Sequence, residues 1–88
     1  MSADYSRSSV IRVRLFASYA ERLGSEELEL PSAGLETAGQ VLDRLRAMPR
    51  GDALGGATLL AVNLRQAGRE TPVEPGDEVA VMPPLAGG

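Results

Sequence analysis

The residues of this chain that could do chemistry are its last six, Pro83-Pro84-Leu85-Ala86-Gly87-Gly88. From Val79 onward no side chain carries a charge, so the charge in that stretch is the carboxylate of Gly88. Proline has no amide hydrogen and fixes φ near −65°, so Pro83 and Pro84 cannot extend a β-ladder and should aim the chain off the domain. Six residues span about 20 Å when extended at ~3.3–3.6 Å each, enough to place a carboxylate inside another protein. Leu85 and Ala86 could line a partner's channel. Gly87, without a Cβ, could pass a constriction that a side chain would block. The competing reading is a frayed terminus, although frayed ends are usually more polar than this one.

The rest of the composition excludes most local chemistry. Among 88 residues there is no cysteine and no histidine, which removes disulfides, Cys or His zinc sites, thiol nucleophiles and imidazole bases together. All nine basic residues are arginine, so the chain can neither form its own Schiff base nor accept a modifier on a lysine side chain. A net charge of −3, the lack of a basic cluster and only three aromatic residues argue against nucleic acid as a partner. There is no apolar run of the ~18 residues that a membrane span needs, and residues 1–9 lack the hydrophobic segment of a signal peptide. The expected location is cytoplasmic, with no membrane partner.

The elements that must carry the tail can be read from periodicity. Residues 1–9 have no apolar pattern and are expected to be a flexible lead-in. Ile11, Val13 and Leu15 then alternate with Arg12, Arg14 and Phe16, the period-two signature of a strand with one buried face. Phe16 falls on the outer face, either as a contact site or as a half-covered edge position. Ala17–Leu23 can form a helical turn closed by Gly24-Ser25. Glu26–Leu30 reads as a second strand with Leu28 and Leu30 inward. Its three glutamates invite a metal or acid–base reading, but their alternation with leucine fits a solvated strand face.

Thr37 followed by Gln40 fits a capping box. Ala38, Val41, Leu42, Leu45 and Met48 then form an apolar stripe, and Pro49 stops the run, which predicts a helix over 38–48. Residues 49–57 are a glycine-rich connection. Their Arg50-Gly51-Asp52 triplet is read as chance, and Gly55-Gly56 as a turn without phosphate-loop context. Leu59–Leu64 is a third, mostly apolar strand expected to be central. Residues 65–72 are expected to form a turn and a short polar edge segment. Pro75-Gly76 sit at the middle of a type II turn, and Glu78–Met82 is the last strand, with Val79 and Val81 on one face and Ala80 and Met82 on the other.

The order strand, strand, helix, strand, short strand, strand describes an α+β domain. It corresponds to the β-grasp, or ubiquitin-like, fold, a mixed sheet of four to five strands packed on one main helix. A ferredoxin-like fold needs a second good helix that residues 49–57 are too glycine-rich to supply. The expected division is a lead-in over 1–9, the domain over 10–82 and a diglycine tail over 83–88.

Three stretches carry a family resemblance from about Val10 to Gly88: RVRLFASYAERLG at the first strand and turn, AVN at Ala61–Asn63, and GDEVAVMPPLAGG, which is similar to the ending GDEVAFFPPVxGG. Together they resemble the MoaD/ThiS-type sulfur-carrier family, above all the small subunit of molybdopterin synthase. The family often has an aromatic residue where Met82 stands and an arginine where Ala20 stands. The α-carboxyl of Gly88, with an ordinary pKa of about 3.3–3.7, is ionised at neutral pH and a very poor electrophile. The resemblance implies that an E1-like adenylyltransferase activates it with ATP, and that a persulfide donor converts it to a thiocarboxylate. The tail then inserts into the large subunit of molybdopterin synthase and delivers sulfur to cyclic pyranopterin monophosphate, making the dithiolene that binds molybdenum.

On this reading the chain is a non-catalytic, sulfur-donating subunit of a hetero-oligomer. It binds no cofactor, and ATP is used by its activating partner. Phe16, Met82 and Leu64 are the candidate partner-binding residues, unless the chain's own loops bury them. Three alternatives stand beside it: a sulfur carrier for thiamine thiazole, cysteine or thiolated tRNA; a ubiquitin-like modifier joined through Gly88 to lysines of other proteins; and an interaction domain with an idle tail.

Overall fold

The structure, a computed structural model, describes residues 9–84. Strand β1 spans Val10–Leu15 and is followed by a short helix α1, Ser18–Leu23. Next come β2, Glu27–Pro31, and the main helix α2, Ala38–Arg46. A 3-10 turn at Gly51–Ala53 leads to β3, Leu59–Val62, then β4, Arg65–Ala67, and β5, Glu78–Met82. The five strands form one sheet in the order β2-β1-β5-β3-β4. β5 runs parallel to β1 and antiparallel to β3, and the other pairs are antiparallel. This is the β-grasp arrangement expected from the order of elements.

One face of the sheet is buried against α2. Ile11, Val13 and Leu15 of β1, Leu30 of β2, Leu60 and Val62 of β3, and Val79 and Val81 of β5 meet Ala38, Val41, Leu42 and Leu45 of the helix. Each fully buried Val, Leu or Ile contributes about 1.5–3 kcal/mol relative to exposure. The capping box that starts α2 is present: Gln40 N donates to Thr37 Oγ1 at 3.2 Å, and Thr37 N donates to Gln40 Oε1 at 3.1 Å.

Two boundaries differ from the sequence reading by two residues, and β2 is shifted by one. The helix ends at Arg46, because Met48 N turns to the Leu45 carbonyl and Gly51 N to that of Met48, tightening the chain before Pro49 can stop it. Met48 still packs against the core. β3 ends at Val62, where Asn63 and Leu64, with φ of 50° and 72°, form a two-residue hairpin turn into β4. As expected, β3 is an interior strand, between β5 and the short edge strand β4, and β5, the last strand, takes the middle of the sheet.

The glutamates of β2 have a structural account. Glu29 lies directly across from Arg12 and Glu27 across from Arg14, on the face away from the helix. Arg14 also reaches Glu78 of β5, Nε to Oε2 at 3.5 Å. Opposite charges thus sit opposite one another along the outer face. The loop at 49–57, expected to be a plain connection, is packed: Leu54 is buried, Arg46 donates to the carbonyl oxygens of Leu54 (3.0 Å) and Gly55 (2.6 Å), and Thr58 Oγ1, just beyond it, donates to Gly55 O at 2.6 Å. Since the Thr58 hydroxyl donates there, the Tyr19 hydroxyl is the donor in their 2.8 Å contact. On the helix surface, Arg69 Nη2 donates to Asp43 Oδ2 at 2.8 Å and holds that carboxyl below its ordinary range.

Ala17 joins β1 to α1 at φ 54° and ψ −131°, and Tyr19 N donates to Phe16 O across it at 3.1 Å. These are the angles of the first central position of a type II′ turn, which glycine fills without steric cost. An alanine there stores about 1–3 kcal/mol of strain, and glycine gives back roughly 0.5–1 kcal/mol through its freer unfolded chain. Ala17→Gly is therefore expected to raise stability by about 0.5–1 kcal/mol, read as a higher midpoint in urea unfolding with an unchanged slope.

Candidate functional site

The site is the root of the tail. β5 carries the chain up the middle of the sheet, laddered to β1 on one side and to β3 on the other as far as Met82. A tight turn aligns its entry: Gly76, with φ of 93°, fills the second middle position of the type II turn, and Asp77 N donates to Glu74 O at 3.0 Å. Asn63 fixes the same end of the strand, taking the Glu78 amide at 3.0 Å and donating to Asp77 Oδ1 at 3.0 Å. Pro83 and Pro84 follow Met82, the first half-buried and the second exposed. Leu85, Ala86, Gly87 and Gly88, which carry the expected threading and acylation roles, lie outside the described residues.

Around this root the outer sheet face is apolar. Met82 pairs with Leu59 of β3, and Phe16, whose amide donates to Val81 O at 3.3 Å, lies on its other side. Phe16, Met82 and Leu59 therefore form a row across three strands, with Phe16 and Leu59 each 40% exposed and Met82 half-buried. Behind the row, one register step from the tail, sit Ala80 (8% exposed) and Ala61, flanked by Arg14. The Arg14 guanidinium stands 5.6 Å from the centroid of the Phe16 ring and holds it from one side. A shallow depression next to Phe16 is lined by Arg14, Ala17, Ala20, Glu21 and Glu26.

Of the three partner-binding candidates, the structure brings two together. Leu64 is 84% exposed, but it sits at the tip of the β3–β4 turn, beyond Val62 and at the opposite end of β3 from Leu59. It is separated from Met82 by the length of the strand. Leu59 takes the third place in the row. The sequence signal for it was the alternation within Leu59–Val62: once Leu60 and Val62 are assigned to the core, Leu59 and Ala61 must face outward.

Chemically, this face can dock an apolar surface and present an extended chain at its edge. Among the described residues no group of three or more acidic side chains is placed to hold a metal ion, and no described helix is long and apolar enough to cross a membrane.

The sequence model of the ThiS family matches residues 13–88. The chain belongs to the ThiS family. In structure this ThiS-family protein is similar to SAMP1 from Haloferax volcanii, at 30% identity and a TM-score of 0.75, over 90% of this chain and 99% of that one. It is also similar to small archaeal modifier protein 1 from Methanosarcina acetivorans, at 26% identity and a TM-score of 0.73, over 91% and 97% of the two chains. A third similarity is to a complex of subunits 1 and 2 of molybdopterin-converting factor from Helicobacter pylori. At 20% identity and a TM-score of 0.63, over 90% and 99% of the chains, it shows a shared fold. The family is thus that of MoaD/ThiS-type ubiquitin-like sulfur carriers and modifiers, in agreement with the motifs at both ends of the domain.

Proposed function

We propose that the protein is a sulfur carrier that works in the cytoplasm as the small subunit of molybdopterin synthase. The observation that supports this best is the apolar row Phe16-Met82-Leu59 at the point where an uncharged chain leaves the middle strand, in a family match that runs through residue 88. A partner covering that row receives the tail at a fixed position and direction.

The chemistry follows from the carboxylate of Gly88. A carboxylate oxygen attacks the α-phosphorus of ATP on an E1-like adenylyltransferase, pyrophosphate leaves, and the acyl carbon becomes electrophilic. The terminal sulfur of a persulfide donor attacks that carbon and AMP leaves. A second thiol cleaves the resulting acyl disulfide and frees the thiocarboxylate. The row then docks on the large subunit, the tail threads in, and the sulfur passes to cyclic pyranopterin monophosphate. The subunit pair of the Helicobacter pylori factor is an assembly of the kind this requires. The acid–base groups, the ATP site and the pterin pocket belong to the partners, and this chain contributes reach, direction and the acyl group.

A second reading is favoured by the similarity to SAMP1 at 30% identity: the same activated carboxyl is passed to lysines of other proteins, making the chain a modifier. Incubation with its activating enzyme, ATP and a sulfur donor separates the two. Exchange of one oxygen for sulfur in the mass of the intact chain, followed by dithiolene formation with the large subunit and the pterin, supports the carrier. Isopeptide adducts without dithiolene formation would replace it with the modifier.

Docking through the row also predicts the effect of a charge placed in it. Phe16→Asp should weaken binding to the large subunit by about 30-fold or more, since truncating a central aromatic anchor costs ~2 kcal/mol or more. Its melting temperature should stay close to that of the parent, because the ring is 40% exposed and outside the core. A large fall in melting temperature would show the ring to be part of the core instead.

A further inference from the structure

We propose that Met82 is a reversible oxidation site that switches docking at the root of the tail; the inference rests on the docking role given above. Two methionines lie among the described residues, Met48 and Met82, and the chain has no cysteine to consume an oxidant first. Met48, also half-buried, packs against the core cluster just beyond α2. Met82 is outside that cluster, on the open sheet face, half-buried between Phe16 and Leu59. Its side chain lies in the middle of the surface that a partner must dehydrate.

A peroxide transfers one oxygen atom to such a sulfur. The O–O bond breaks, the sulfur gives up two electrons, and hydrogen peroxide leaves as water. The sulfoxide is polar and accepts hydrogen bonds. Phe16, Leu59 and Ala80 beside it offer no donor, and the Arg14 guanidinium nearby is engaged by Glu78 and the Phe16 ring. Docking then strips water from the new oxygen without replacing its hydrogen bonds, which is unfavourable. The backbone ladder of β5 and the helix-side core are not involved, so the domain stays folded while its affinity falls. Reduction by a methionine sulfoxide reductase restores the thioether and the docking surface.

The test treats the full chain with hydrogen peroxide and follows each methionine by mass in tryptic peptides, Met82 falling in peptide 70–88. Met82 is expected to gain one oxygen, read as a sulfoxide in that peptide. The oxidised protein should keep its melting temperature. Its affinity for the large subunit should fall by about tenfold or more, the cost of one dehydrated polar group, and the reductase should restore it. Met82→Leu, which has no sulfur at this position, should show the same affinity before and after peroxide, whatever that affinity is. The switch is overturned if Met82 takes up no oxygen, if the oxidised chain keeps its full affinity, or if Met82→Leu loses as much as the parent. An untreated chain that does not bind the large subunit overturns the docking reading itself, whereas a binding chain insensitive to oxidation overturns the switch alone.

Discussion

Deletion of Gly88, or addition of one residue after it, is expected to abolish sulfur loading and transfer while leaving the domain folded. Among the described residues Val81 is the last of the core, Met82 and Pro83 are half-buried, and Pro84 is exposed. On the proposed chemistry function depends on the tail fully, because the reacting carbon ends a tether whose length is set by six residues beyond the middle strand. Removing one residue withdraws the carboxyl by about 3.5 Å, and misplacement by ~1 Å can already cost on the order of 100-fold. Loss of at least about 1,000-fold in thiocarboxylate formation is therefore expected, with the thermal midpoint unchanged. Retention of activity by a chain extended by one residue, measured as complementation of a strain lacking its carrier, would sink the proposed chemistry.

The largest effect on stability is expected at Gly51. The chain folds back under the end of α2 there, and the glycine is buried against the helix backbone. A Cβ at this position collides with the carbonyl oxygen of Leu45 and comes within 2.7 Å of the Arg46 carbonyl carbon and oxygen. Those are backbone atoms of the helix terminus and cannot rotate away as a side-chain tip would. Gly51→Ala is expected to cost about 3 kcal/mol, the upper part of the overpacking range, and so to lower the melting temperature by more than about 10 °C in a domain of this size. Gly55→Ala in the same loop is the control. A Cβ there meets nothing within 4 Å, so stability should be unchanged or raised by up to about 1 kcal/mol. Equal melting temperatures for the two variants would show that the loop yields to the added methyl.

Much of this was legible in the sequence, for reasons that differ by residue. Ile11-Val13-Leu15 and Leu28-Leu30 alternate with charges, so both period and inward face could be read, and the structure pairs Ile11 with Leu30 and Val13 with Leu28. Thr37 and Gln40 announce their cap because its chemistry is local. Leu59 was hidden by its neighbours: in a run as apolar as Leu59–Val62 the alternation is there, but hydrophobicity does not say which half faces inward until the strand has partners on both sides. The strand end at Val62 was hidden because Asn63-Leu64 is not the Asn-Gly signal of a two-residue hairpin. The hydroxyl contact of Tyr19 with Thr58 and the grip of Arg46 on Leu54 and Gly55 join positions 39, 8 and 9 residues apart. No local pattern encodes them, which is why residues 49–57 read as a plain connection. At the site itself, Phe16 and Met82 were visible as outward apolar residues, while Leu64, in phase with the inward Leu60 and Val62, owes its exposure to the turn at Asn63-Leu64 and not to a place in the row.

The position of β5 has a mechanical consequence. A tail drawn into a narrow channel transmits traction to the strand that holds it, and here that strand is bonded on both sides, to β1 in parallel and to β3 antiparallel. A pull directed along Glu78–Met82 loads both ladders in shear, so their hydrogen bonds must fail together and not one by one as when an edge strand is peeled. The domain is therefore an anchor matched to its tether: the carboxyl end can be drawn in or withdrawn under load without the sheet unzipping behind it.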